Sequence, residues 1–284
     1  MEKLPRLHAR IASLGELRDL IQALRVLAAS HMQEATAALG GIRRYATVVE
    51  DAIASVADML ALVDAGAPPA GGEDARVLVV VCSEHGFVGA LNEHLLDRAE
   101  SEIRPGCQLA VIGRRGMIAA EERSLATSWC VPMATHVGGV TGVTRGVAAR
   151  LTNTTEADII FARHLPGGGH EIEKKTVLPL DPTLLAGSHH RNPPLHQIAP
   201  EVLLQRLAGE YLFAEITRAL MESLACESAA RLSVMQSADR NIDDKLQTLR
   251  RSENVLRQES ITSELLDVVT GALAVLDAPS GGWH

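Results

Sequence analysis

LPRLHARIASLGELRDLIQALRVLAASHMQEATAALGGIRRYATVVEDAIASVADMLALV, residues Leu4 to Val63, keeps one heptad register from end to end. The two core positions of each repeat are filled by Leu4, Leu7, Ile11, Leu14, Arg18, Ile21, Arg25, Ala28, Met32, Ala35, Leu39, Ile42, Ala46, Val49, Ile53, Val56, Leu60 and Val63. Only Arg18 and Arg25 interrupt the stripe. No proline falls between Pro5 and Pro68, so the pattern predicts one helix of roughly 60 residues, about 90 Å long. A helix of that length outruns any core the rest of the chain could build, and its seam needs a partner helix or a surrounding protein.

The other end of the chain offers the partner. Glu201 to Ala278 contains no proline and only two glycines, Gly209 and Gly271, which permits a second helix of roughly 75 residues. In its middle Met235, Ile242, Leu249 and Leu256 fill one core position of a heptad, and Leu232, Asp239, Leu246 and Glu253 fill the other. Acidic residues on a seam weaken a helix pair but fix its register. Arg18 and Arg25 of the first helix either face Asp239 and Glu253 or turn outward, and the seam phase favours the internal pairing.

Between the helices lies a different pattern. Gly66-Ala67-Pro68-Pro69-Ala70-Gly71-Gly72 reads as a linker. Arg76 to Cys82 is a short β-branched run of the kind a parallel sheet covered on both faces requires. Leu91 to Ile103 reads as a helix, Gln108 to Ile112 as a strand, Arg114 to Ser124 as a helix and Ala157 to Ala162 as a strand. His170 to Leu180 alternates and forms a hairpin with Phe161 to His164 across Pro166-Gly167-Gly168-Gly169. Asp181 to Pro200, polar and rich in proline, closes the segment. Alternating strands and helices make a small α/β domain. The expected fold is therefore mixed α/β: a long antiparallel coiled coil of N- and C-terminal helices (residues 1–66 and 199–284) with a Rossmann-like α/β domain inserted at 67–198.

Composition agrees with a rod. At 46% hydrophobic the chain can bury a core, yet aromatics make up only 2%, and paired helices fill their seams with Leu, Ile, Val and Ala, whereas compact cores draw on rings. No apolar run approaches a membrane span, and the amino terminus has no h-region of an export signal. Cys82, Cys107, Cys130 and Cys226 never fall as Cys-x-x-Cys, which fits a reducing cytoplasm without a zinc site or disulfide framework. The net charge of −8 argues against nucleic acid as a partner, although the first 44 residues and the stretch from Arg231 to Arg257 are locally basic.

Candidate chemistry fails at each place it could reside. Ser83 to Asn92 joins a strand to a helix but lacks the spacing of a phosphate loop; a capping turn in which Gly86 and Gly89 allow close packing accounts for it. Gly138-Gly139-Val140-Thr141-Gly142 is followed by no lysine and reads as a flexible turn. His164, His170, His189 and His190 have no acidic or cysteine partner at ligand spacing. Glu84 and His85 are adjacent and point apart, with no nucleophile beside them. No catalytic residue, cofactor site or metal site is expected.

Several motifs, in order along nearly the whole chain, resemble the γ subunit of F-type ATP synthase. Arg10-Ile11-Ala12-Ser13 is similar to that family's Arg-Ile-x-Ser, and Ile21 to Ala29 to its Ile-Thr-Lys-Ala-Met-x-Met-Val-Ala-Ala. Ser83-Glu84-His85-Gly86-Phe87-Val88-Gly89-Ala90-Leu91-Asn92 resembles Ser-Asp-Arg-Gly-Leu-Cys-Gly-Gly-Leu-Asn. Cys226 to Met235 resembles Ser-Glu-x-x-Ala-Arg-Met-x-Ala-Met, and Arg257-Gln258-Glu259-Ser260-Ile261-Thr262-Ser263-Glu264-Leu265 resembles Arg-Gln-x-x-Ile-Thr-x-Glu-Leu. The departures, Gln22 for lysine, Glu84-His85 for Asp-Arg and Glu253-Asn254 for Tyr-Asn, fit a divergent bacterial member.

The resemblance implies a non-catalytic central-stalk rotor that couples ion translocation through the membrane sector to ATP synthesis or hydrolysis in the α and β subunits of F1. It implies the ε subunit and the c-ring of Fo as further partners, and a peripheral place on the cytoplasmic side of the bacterial inner membrane. Arg257 and Gln258 match positions at which the family meets the catalytic subunit; Arg25 and Gln22 are assigned there with them. The expected seam comprises Ile11, Leu14, Ile21, Leu39 and Ile42 against Met235, Ile242, Leu249 and Leu256. The competing readings are a small α/β enzyme dimerised by helical arms, and a coiled-coil scaffold.

Overall fold

The computed structural model describes residues 3–63, 76–165, 169–185 and 197–276. The first helix, α1, runs Lys3–Val63 and the last, α6, runs Pro200–Leu276. Between them come β1 (Arg76–Val81), α2 (Leu91–Glu102), β2 (Cys107–Ile112), α3 (Arg114–Glu122), β3 (Thr127–Val131), α4 (Val137–Leu151), β4 (Glu156–His164), β5 (His170–Leu178) and the short α5 (Pro182–Leu185). The chain divides into two compact units, one of residues Arg25–Val234 and one of Met1–Leu24 with Met235–His284.

In the larger unit five strands form one sheet in the order β3-β2-β1-β4-β5. β1 is parallel to β2, with Arg76 opposite Cys107 and Val81 opposite Ile112, and parallel to β4, with Val80 opposite Ile160. β5 closes the edge antiparallel to β4, with His164 opposite His170. Side chains alternate across β1. Val77, Val79 and Val81 join Ala35 and Leu39 of α1, Val140 and Val147 of α4, and Leu212, Ile216, Leu220 and Leu224 of α6 in one core. Leu78 and Val80 face the other way, onto Leu91, Leu95 and Leu96 of α2. Both faces of the sheet are covered, which is why β1 is apolar without interruption. Near the start of α6, Tyr211 packs on Val49 and Ile53 of α1, with Leu184 of α5 against them.

Two elements differ from the sequence reading. β3 was not anticipated, and Gly138, Gly139 and Gly142 lie inside α4 instead of forming a flexible turn. A buried stripe of Val140, Thr144, Val147 and Leu151 holds that helix despite the glycine cost of roughly 1 kcal/mol per residue. Thr144 Oγ1 bonds Val140 O at 3.0 Å and Thr217 Oγ1 of α6 at 3.2 Å, tying α4 to the long helix. Asp181 to Pro200 contains α5; the linker Gly66–Gly72, the turn residues Pro166 to Gly168, His189-His190 and Pro193-Pro194 lie outside the described residues.

In the smaller unit the amino-terminal part of α1 lies antiparallel to α6. His8 Nε2 meets Glu253 at 3.0 Å, and Arg18 meets Asp243 at 3.0 Å, so ten residues forward on α1 move ten back on α6. Ile21, Met235, Ile242 and Leu246 are buried, while Leu4, Leu7, Ile11, Leu14, Leu249 and Leu256 are half-buried. Within the larger unit the heptad positions Ala28, Ala35, Leu39, Ala46, Val49, Ile53 and Val56 are buried and Met32 and Ile42 half-buried. The side chains of Leu60 and Val63 lie outside the described residues.

Candidate functional site

The helix pair carries the first group of candidate residues. Arg18, at a core position, turns inward: its Nε lies 3.5 Å from Asp239 and its Nη2 3.0 Å from Asp243. Gln22 donates to Asp239 at 3.3 Å. Two of the seam's polar residues thus find each other across the pair, and both carboxylates gain partners in a half-buried setting where an orphaned charge would be costly. Glu253 is not faced by either seam arginine. It accepts from His8 at 3.0 Å and from Arg257 at 2.9 Å. Arg25 is half-buried.

Arg257 and Gln258 stand at the surface of α6. Beyond Leu256 every described side chain up to Thr270 is exposed, including Ile261 at 52%, Leu266 at 61% and Val268 at 69%. Over nearly four turns the helix thus presents isoleucine, leucine and valine to solvent.

The second group is the turn after β1. Ser83 N donates to Asn92 Oδ1 and Asn92 Nδ2 to Ser83 Oγ, each at 2.9 Å, which fixes the entry into α2. Gly89 has φ +61°, so conformation rather than crowding requires glycine there. The tight approach belongs to Gly116 of α3, where a Cβ would come 2.0 Å from Cys82 Cβ. His85 is exposed and Glu84 buried, so the two do not act together. Glu84 Oε2 accepts the backbone N–H of Arg114 at 3.2 Å and of Met133 at 2.8 Å. The first N–H of α3, where a phosphate would bind, is occupied by the protein's own carboxylate.

Other titratable groups are structural. Cys82 and Cys226 are buried free thiols pushed up to about 12, chiefly by burial. Tyr45 donates to Glu210 and is likewise raised to about 12 by burial and by that carboxylate. His94 Nδ1 and His170 Nε2 lie 3.2 Å apart, but among the described residues no group of three His, Cys, Asp or Glu side chains could hold a metal ion. No described helix is long and apolar enough to cross a membrane. Sequence reasoning missed the ion pairs of Arg43 with Glu222 and of Arg18 with Asp243. It also quoted Glu227 and Arg231 without seeing that they sit one helical turn apart and face Glu84; their spacing of four was the available signal.

A five-stranded sheet that lies in sequence between two very long terminal helices defines the class of helical-pair proteins with an inserted α/β domain. Over residues 3–275 the sequence matches the ATP synthase family, and the chain belongs to it, among the γ chains. It is 27% identical to the ATP synthase gamma chain of Anaeromyxobacter sp. (strain Fw109-5) over 97% of this chain and 100% of that one. It is 28% identical to that of Granulibacter bethesdensis over the same shares. Among solved structures it is similar in fold to a chain of the Euglena gracilis mitochondrial ATP synthase, OSCP/F1/c-ring, with a TM-score of 0.65, 12% identity and coverage of 99% and 97% of the two chains. A chain of the Tetrahymena thermophila mitochondrial ATP synthase central stalk and c-ring gives 0.58 at 17% identity, covering 77% of this chain and 99% of that one.

Proposed function

We propose that the chain is the central-stalk rotor of a bacterial F-type ATP synthase and performs no chemistry itself. Its paired terminal helices α1 and α6 turn inside a collar of α and β subunits, and the α/β domain between them in sequence meets the ε subunit and the c-ring at the cytoplasmic face of the inner membrane. Among the described residues no feature favours the small α/β enzyme or the free scaffold.

The observation that carries this reading is the end of α6. From Arg257 to Thr270 its side chains are exposed on all sides and largely aliphatic or hydroxylic, suited to a bearing that must slide, because apolar contact is non-directional. At the base of this segment Arg257 and Gln258 offer the catalytic subunit a releasable polar grip. A guanidinium can fork to a carboxylate and let it go, and Arg257 is only 2.9 Å from Glu253 on its own helix, a half-exposed pair of small net worth that exchange with a partner can break. Gln22, which donates to Asp239 eighteen residues before Arg257, and Arg25 would meet the α and β subunits at a separate contact.

Replacing Arg257 and Gln258 together by alanine tests the assignment. The purified complex is expected to assemble and to lose several-fold in ATP-driven ion pumping; assembly with unchanged pumping would remove both residues from the contact.

A further inference from the structure

The turn after β1 is bonded to α6 more heavily than a turn requires. We propose that Glu84, Glu227 and Arg231 form the torsional joint through which α6 turns the α/β domain, each acting as a positioning residue; the inference rests on the rotor reading.

The bonds form one continuous chain. Arg231, on α6, donates through Nε to Gly86 O at 3.3 Å and through Nη2 to His85 O at 3.5 Å and to Glu227 Oε1. Glu84 N donates to Glu227 Oε2 at 3.4 Å. The Glu84 carboxylate then holds Arg114 N and Met133 N, and its Oε1 lies 3.0 Å from Arg114 Nε. A path of directional bonds thus leads from α6 through the turn to the start of α3 and the segment after β3.

Both carboxylates are buried, Glu84 at 7% and Glu227 at 4% exposed, and each has its own guanidinium, Arg114 and Arg231. That arrangement is what a buried pair of like charges needs in order to persist. The apolar contact of Leu212, Ile216, Leu220 and Leu224 with the sheet holds α6 against the domain and opposes a large roll, which would carry those side chains into water, but hydrophobic attraction itself has no preferred direction. Hydrogen bonds do have one. Rolling α6 would break the Arg231 and Glu227 bonds together.

The experiment uses the assembled complex in membrane vesicles and compares Arg231→Met, which keeps the length of the side chain without its donors, with Glu84→Gln, which is nearly isosteric, and with Val147→Ala in the sheet core. ATP hydrolysis, ATP-driven ion uptake and melting temperature are measured for each. Arg231→Met is expected to keep at least half of the hydrolysis while ion uptake per ATP falls several-fold, Glu84→Gln to show a smaller fall, Arg231→Lys to recover part of the loss, and Val147→Ala to melt earlier with its coupling intact. Unchanged uptake per ATP in both Arg231→Met and Glu84→Gln, or an equal loss in Val147→Ala, would overturn the joint while leaving the rotor reading standing. Wild-type vesicles with no ATP-driven uptake would overturn the rotor reading itself and the joint with it.

Discussion

Arg18 of α1 and Asp243 of α6 lie 3.0 Å apart, and the same guanidinium reaches Asp239, to which Gln22 also donates. On a seam filled mostly by aliphatic residues, this group sets which turn of one helix meets which turn of the other. Arg18→Leu combined with Asp239→Leu is expected to leave the pair as stable or more stable and to blur its register. Cysteine pairs engineered across the seam would then cross-link at neighbouring turns as well as the native one, whereas native-only cross-linking would show that the apolar residues suffice. Arg18→Ala alone is expected to cost about 1–3 kcal/mol, because Asp239 is mostly buried and keeps the Gln22 bond but loses its guanidinium.

Leu220, fully buried between α6 and the sheet, carries the packing of the larger unit. Leu220→Ala is expected to destabilise it by about 2–5 kcal/mol, measured by denaturant unfolding. A loss well under 1 kcal/mol would mean that α6 is not seated on the sheet as described.

Glu50 makes stability depend on pH. Burial first, and then the Glu215 carboxylate, raise its pKa above the ordinary value, with Lys175 and Arg218 acting against them. The folded protein therefore holds this proton more tightly than the unfolded chain, and stability falls as pH rises from the usual carboxylate range through the raised value. Glu50→Gln is expected to flatten that slope and to raise the melting temperature at neutral pH; an unchanged profile would exclude Glu50 as its source.

The cysteines give a chemical readout of the fold. With Cys82 and Cys226 buried and pushed up to about 12, neither supplies thiolate at pH 8. Cys107 and Cys130 are half-buried and raised more modestly. Alkylation followed by mass spectrometry is expected to modify Cys107 and Cys130 and to spare Cys82 and Cys226 until the protein unfolds. Early modification of Cys82 would contradict the packing of α3 on β1.

The long helices were legible because a heptad stripe is a repeated signal: each of the core positions with a described side chain, from Leu4 to Val56, is buried or half-buried. β1 and the β4–β5 hairpin were legible for a similar reason, since a covered parallel strand and an alternating edge strand write different patterns. α4 was hidden by its glycines, whose helix cost is offset by tertiary packing that no local pattern reports. β3 was hidden because Trp129 and Cys130 sit on an edge only partly covered. Of the joint, Glu227 and Arg231 could be read as a pair one turn apart, but their partner Glu84 is distant in sequence and became visible only through the fold.

The central claim is that this chain turns. Attaching a single fluorescent probe to an exposed engineered cysteine at Ile118 in the assembled, surface-fixed complex and adding ATP tests it directly. Sustained rotation in one direction that stops when ATP is removed is the predicted result. A complex that hydrolyses ATP at the wild-type rate while the probe stays fixed would contradict the account.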